Sequence, residues 1–258
     1  MSERTERFEI AGRPRLVLRV PTGEIRVVAG RPGEAVVRCR GGERHLSRIV
    51  IVREGDTINV GPEGGGLGHW PSLDVEVAVG AAPDVRARFG STDVDLRTAV
   101  HSVEVAGASG DVQVGEVEDS LTVRLASGDL AAEAVGGRVD VVTASGDVRV
   151  RQAGGPVEVK TASGDIALGT VEGDCATRTA SGQVAVAHFN GSRFEAKTMS
   201  GDVRVGVPSG RRYSLSLQTF SGDMRTDFPV SGEAGGAPSR IVVTSVSGDI
   251  RIAAAGKA

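Results

Sequence analysis

Aromatic residues are scarce in this chain: one Trp, one Tyr and six Phe among 258 residues. That leaves few platforms for stacking sugars or single-stranded bases, and few bulky fillers for a wide interior. Cysteine is scarcer still. Cys39 and Cys175 make no disulfide framework and suit a reducing compartment. A basic excess is also missing. The formal net charge is −3, and residues 1–84 hold twelve Arg against twelve Asp or Glu, so nucleic acid is not expected as a partner. No apolar run approaches the length of a membrane span. The opening MSERTERFEI places charges where a signal peptide has its apolar stretch. A cytoplasmic protein is the expectation. Apolar residues at helical spacing are absent over any three turns, which excludes helical architectures.

What is present is a repeat. Residues 85–192 divide into twelve consecutive nine-residue units without an insertion. Positions 1, 3 and 6 are mostly small and apolar, and position 8 is usually Gly. Alternate units end in Ser-Gly-Asp, so the true period is eighteen. Val148, Val150, Val157 and Val159 alternate with Arg149 and Glu158, the pattern of a strand with one buried face. A short fixed period of strands and turns predicts an all-β solenoid, a single-stranded β-helix-like stack. Each eighteen-residue coil is made of two nine-residue halves. The interior is filled by Val, Ala, Leu and Ile, and Cys175 falls on an inward position.

The expected organisation has three parts. Residues 1–84 are strand-rich but lack the nine-residue register, and read as a β-rich N-terminal cap or irregular first coils. Within them, Ile49–Val52 and Thr57–Val60 flank Arg53-Glu54-Gly55-Asp56, a hairpin signal. Residues 85–252 are the regular solenoid, with insertions at 206–214 and 227–240. Residues 253–258 are a tail, too short to cap an open sheet well. An end left open exposes strand edges, and self-assembly through the C-terminal end of the solenoid would cover them.

Chemistry-bearing residues fall into a ladder. Its rungs are Ser109-Gly110-Asp111, Ser127-Gly128-Asp129, Ser145-Gly146-Asp147, Ser163-Gly164-Asp165, Ser200-Gly201-Asp202, Ser221-Gly222-Asp223 and Ser247-Gly248-Asp249. Gln183 breaks the acid column after Ser181, and Thr92-Asp93 is a degenerate first rung. Gly permits positive φ at a corner, while Ser and Asp bond nearby backbone amides. Turn chemistry therefore accounts for all three residue types. Stacked carboxylates repel, so a calcium-stabilised, adhesin-like surface protein is one alternative, although the glycines of the calcium-binding nonapeptide are missing or misplaced. No Ser has a recurring His neighbour, so no nucleophile is assigned. His101 and His188 lie five coils apart, about 24 Å at strand spacing, too far to share a metal. No catalytic, cofactor or metal residue is expected.

Two outward faces differ. One gathers Glu104, Asp140, Glu158 and Glu195 beside Arg88, Arg124, Lys160, Arg178 and Lys197, with Thr143, Thr161, Thr179, Thr198 and Thr219 as a further outward column. Such a Thr row raises an ice-binding alternative, against which strand propensity is the plainer account. The other face carries Ala131, Ala167, Ala185 and Ala187 with Gly115, Gly169 and Gly206, interrupted by Arg149 and Arg151. A flat surface of small residues suits a partner or a second copy. The leading expectation is a non-enzymatic scaffold or protein-interaction module. A carbohydrate-active or acyl-transfer β-helix enzyme is the alternative, drawing on loop 227–240 and on His69 and Trp70.

Pro21-Thr22-Gly23-Glu24-Ile25 and the ladder from Ser109 to Asp249 are similar to motifs of a bacterial β-strand-repeat family, domain of unknown function 4097, whose members carry the label "putative adhesin". The resemblance spans most of the chain. It implies a β-solenoid with right-handed winding, a scaffold or regulatory binding role with links to envelope stress, and no catalytic residue to carry over.

Overall fold

The computed structural model describes residues 2–64, 66, 71–227 and 239–255. Among them the chain forms β-strands and one short helix, α1 (Glu43–Leu46), as expected of strands rich in Val, Ile and Thr with no helical period. Among the described residues no helix is long and apolar enough to cross a membrane. Two compact units divide the chain, Met1–Ala131 and Ala132–Ala258.

Unit 1 holds β1 (Ser2–Glu9), β2 (Arg15–Ala29), β3 (Glu34–Gly41), β4 (Ile49–Glu54), β5 (Thr57–Pro62), β6 (Leu73–Val79), β7 (Asp84–Leu96), β8 (Val100–Ser109) and β9 (Val112–Ser127), with β10 (Leu130–Val135) beginning in it. β2 runs parallel to β7 along nearly its whole length, from Arg15↔Asp84 to Val27↔Leu96. Residues 15–29 are thus in the register of the repeat, and the excursion through β3, β4, β5 and β6 hid this from a search for a constant period. The chain makes that excursion by adding antiparallel strands. β6 pairs parallel with β2 and antiparallel with β3, and β3 pairs antiparallel with β1. β5 pairs parallel with β2 and forms the 49–62 hairpin with β4.

Unit 2 holds β11 (Val139–Ser145), β12 (Val148–Ala153), β13 (Val157–Ser163), β14 (Ile166–Val171), β15 (Cys175–Ser181), β16 (Val184–Phe189), β17 (Arg193–Ser200), β18 (Val203–Val207), β19 (Tyr213–Ser221), β20 (Met224–Thr226), β21 (Ser239–Ser247) and β22 (Ile250–Ala254). β11, β13 and β15 pair in parallel at an offset of eighteen, as Val139↔Val157↔Cys175. β12, β14 and β16 do the same, as Val148↔Ile166↔Val184. The inner columns are fully buried: Val139, Val159, Val171, Phe189 and Phe194 are at or below 2% exposure. Phe189 and Phe194 meet edge to face at 5.4 Å, a favourable aromatic geometry.

The order of coils then departs from the order of sequence. β17 pairs with β21, not with β19, and β19 pairs with the far side of β21. β22 likewise lies between β18 and β20. The last described strands are therefore covered on both sides, and β19 with β20 forms the outermost coil of the unit. The expectation of an open edge at the chain's final strands is corrected: among the described residues that edge belongs to residues 213–226.

Side-chain phase differs between the two halves of a coil. In β12, β14 and β16, positions 1, 3 and 6 face inward, as Val148, Val150 and Ala153 do. In β11, β13 and β15, positions 1, 3 and 5 face inward and position 6 is exposed or half-exposed. Alternation continues unbroken to the corner there, which carries Thr143, Thr161 and Thr179 inside at 5%, 8% and 6% exposure. The outward Thr column of the sequence reading is thus an inward one. Each of these hydroxyls donates to the carbonyl two residues on, in Ser145, Ser163 and Ser181, which satisfies the polar group without a surface. A water-ordering Thr row has no surface to act from.

Candidate functional site

The Ser-Gly-Asp corner is the most regular chemical feature, and its geometry follows from backbone bookkeeping. A corner frees N–H and C=O groups that must find partners. Gly146 N–H donates to Ser163 O at 3.1 Å, and Gly164 N–H to Ser181 O at 3.0 Å. Asp93, Asp111, Asp147, Asp165, Asp202 and Asp249 close the account by accepting the backbone N–H of the residue one rung on. In unit 1, Asp93 accepts from Asp111 and Asp111 from Asp129. In unit 2, Asp147 accepts from Asp165, Asp165 from Gln183, Asp202 from Asp249, and Asp249 from Asp223 at 2.8 Å. The partner is a stacked neighbour, not the local amide that single-turn chemistry suggests. These bonds show how like charges stack: each of these six carboxylates sits on an N–H dipole.

Gly at the corner has two reasons. Gly164 has φ +139°, and a Cβ there would lie 2.1 Å from Gly146 O. The same corner recurs at Gly23, with φ +133°, inside Pro21-Thr22-Gly23-Glu24, which pairs with Ser91-Thr92-Asp93. Thr92 stands there in place of Gly, buried, and donates to Val20 O at 3.0 Å.

Arginines neutralise part of the ladder from two residues downstream. Arg149 bridges Asp147 at 2.6 Å, Arg204 bridges Asp202 at 2.8 Å, and Arg225 bridges Asp223 at 3.1 Å. Arg149, Ala167, Ala185, Arg204, Arg251 and Arg225 form one outward column. Arg149 interrupts the small-residue face, as its sequence position indicates, whereas the places of Arg204, Arg251 and Arg225 in the column depend on the coil order. Ala167 and Ala187 are exposed and Ala185 is half-exposed, with Arg151 beside them bridging Glu133 at 2.6 Å. Ala131, in unit 1, is exposed on β10.

On the other half of each coil in unit 2, acids and bases stand in adjacent columns. Lys160 bridges Glu158 at 2.6 Å and Lys197 bridges Glu195 at 2.8 Å. The lysine hydrogen bonds hold both carboxyls below the usual range, and Arg193 adds to this at Glu195. A shallow groove of ≈ 410 Å³ follows this row past Ala180 and Met199. Its cations are already matched by acids, so it has no strong preference for an anion.

Among the described residues no group of three or more His, Cys, Asp or Glu is placed to hold a metal ion. Cys39 and Cys175 are free and buried, and burial pushes both thiols up to about 12, so neither is a ready nucleophile. His101 meets Glu118 at 3.1 Å in unit 1. His69, Trp70 and residues 228–238, on which the enzyme alternative draws, lie outside the described residues.

A family model described as Toastrack DUF4097 matches residues 16–253. No curated protein matches. Among solved structures, a "putative adhesin" from Parabacteroides distasonis ATCC 8503 has a TM-score of 0.57 at 12% identity, covering 96% of this chain and 97% of that one. A "putative adhesin" from Parabacteroides merdae ATCC 43184 has a TM-score of 0.51 at 11% identity, covering 96% of this chain and 95% of that one. At such identities the likeness speaks to the fold alone.

Proposed function

Because the chain belongs to the Toastrack DUF4097 family, we propose that it is a non-enzymatic scaffold that presents a regular β-surface to a protein partner. The observation that carries this reading is the window in unit 2 where Ala167 and Ala185 interrupt a column of arginines. Side chains there are short, so a partner backbone can approach the sheet closely, while Arg149 and Arg204 frame the window with polar groups. Right-handed winding, in coils of two nine-residue halves, belongs to the same reading, and the parallel offset of eighteen in β11 to β16 supports the coil length.

The test is capture of partner from the cells of origin by immobilised protein, compared with an A167K/A185K variant. Lysines placed there fill the window and add charge. Loss of the captured band with unchanged melting supports the reading. Capture at wild-type level by the variant overturns it.

A further inference from the structure

The outermost coil of unit 2 has the inner columns of its neighbours without their burial. Phe194, Ile241 and Leu215 share one column, and Ala196, Val243 and Leu217 the next. Phe194, Ile241, Ala196 and Val243 are 0% exposed. Leu215 and Leu217 are half-exposed. In the other half, Met224 shares a column with Ile250 and Val203. Those two are 0% exposed and Met224 is 53% exposed. The difference is one missing coil. Among the described residues, β19 pairs only with β21, and β20 only with β22.

The sequence of this edge selects what can replace that coil. β19 reads YSLSLQTFS and carries no charge. Antiparallel pairing with a second β19 about a two-fold axis at Leu217 sets Leu217 against Leu217 and Leu215 against Thr219. Inner positions then meet inner positions on both chains. No like charges oppose each other, the usual barrier to a strand pairing with itself. A heterologous strand has no such built-in match of phase.

We propose that β19 and β20 are the dimerisation edge of this protein, and that the occupant is the same edge of a second copy. This surface is separate from the Ala167–Ala185 window, and it is assayed with purified protein alone, so either idea can fail without the other.

The experiment is light scattering on the full chain, eluted from a sizing column over a wide concentration range. Wild type is expected to approach twice the chain mass of 26.5 kDa. Leu217→Lys and, independently, Met224→Lys should return it to 26.5 kDa, because the first sets a charge against its own copy and the second puts a charge on an inner column of the same edge. Both sites are already partly open to solvent, so melting should change little. Ala162→Lys, at an exposed mid-stack corner, should leave the dimer intact. A wild-type monomer at every concentration overturns the proposal. So does a dimer that both edge variants retain, or one that Ala162→Lys also dissolves.

Discussion

Edge strands β1 and β19 place charge in opposite ways. On β1, SERTERFE, the residues opposite the buried Cys39 and Val37 are Arg4 and Glu6. They pair with each other at 3.1 Å, and Arg4 also donates to Ile49 O of β4 at 2.8 Å. Charge pointing toward the core side of an edge opposes addition of another strand. On β19 the corresponding side carries Leu215 and Leu217. Corner chemistry is shared between the units, so the corner does not decide what an end can bind. The few side chains on the last strand do.

The largest effect should come from breaking what the units share. Gly164→Ala puts a Cβ at 2.1 Å from Gly146 O and at φ +139°. Backbone must shift as well as strain, and a cost of about 3 kcal/mol or more is expected. Gly55→Ala, at φ +62° with nothing within 4 Å, carries only the left-handed penalty of about 1 kcal/mol. Urea denaturation of both variants reads the difference. Equal losses would mean that the stacked approach adds nothing to the corner.

Next comes the edge itself. Arg4→Val with Glu6→Val, made in the Leu217→Lys background, turns the unit 1 edge into one resembling β19. A concentration-dependent rise in mass by light scattering is the expected result. A chain that stays monomeric would show that Arg4 and Glu6 are not what keeps this edge alone.

How far the sequence carries can be judged on the same elements. The period of eighteen placed the strands of β11 to β16 and the positive-φ glycines, because each residue type at a corner has one job. Placing the Thr column on an outward face failed at Thr143 and Thr161. The two halves of a coil leave strand phase at different positions, and composition does not mark which. The coil order was illegible for another reason. The rungs at Ser200, Ser221 and Ser247 are alike, so nothing local says that the 247 rung stacks on the 200 rung. Residues 15–29 escaped because the excursion of β3 to β6 breaks the period, even though Pro21-Thr22-Gly23-Glu24-Ile25 was in plain view.

The smallest expected effect concerns the inward hydroxyls, where two neighbours in one strand differ. Thr179 donates to Ser181 O, whereas Thr177, 0% exposed between Val159 and Ala196, has no hydrogen-bond partner for its Oγ1. A buried hydroxyl without a partner keeps its desolvation cost, and replacing it by a methyl removes that cost. Thr177→Val should therefore raise stability by about 1 kcal/mol, while Thr179→Val should lower it by about 1 kcal/mol. The changes are isosteric to one atom and two residues apart, so packing, propensity and unfolded-state effects nearly cancel between them. Thermal melts of the pair would then differ in sign. The same sign for both would mean that the interior of the coil treats position 3 and position 5 alike, against the hydrogen bonding that separates them.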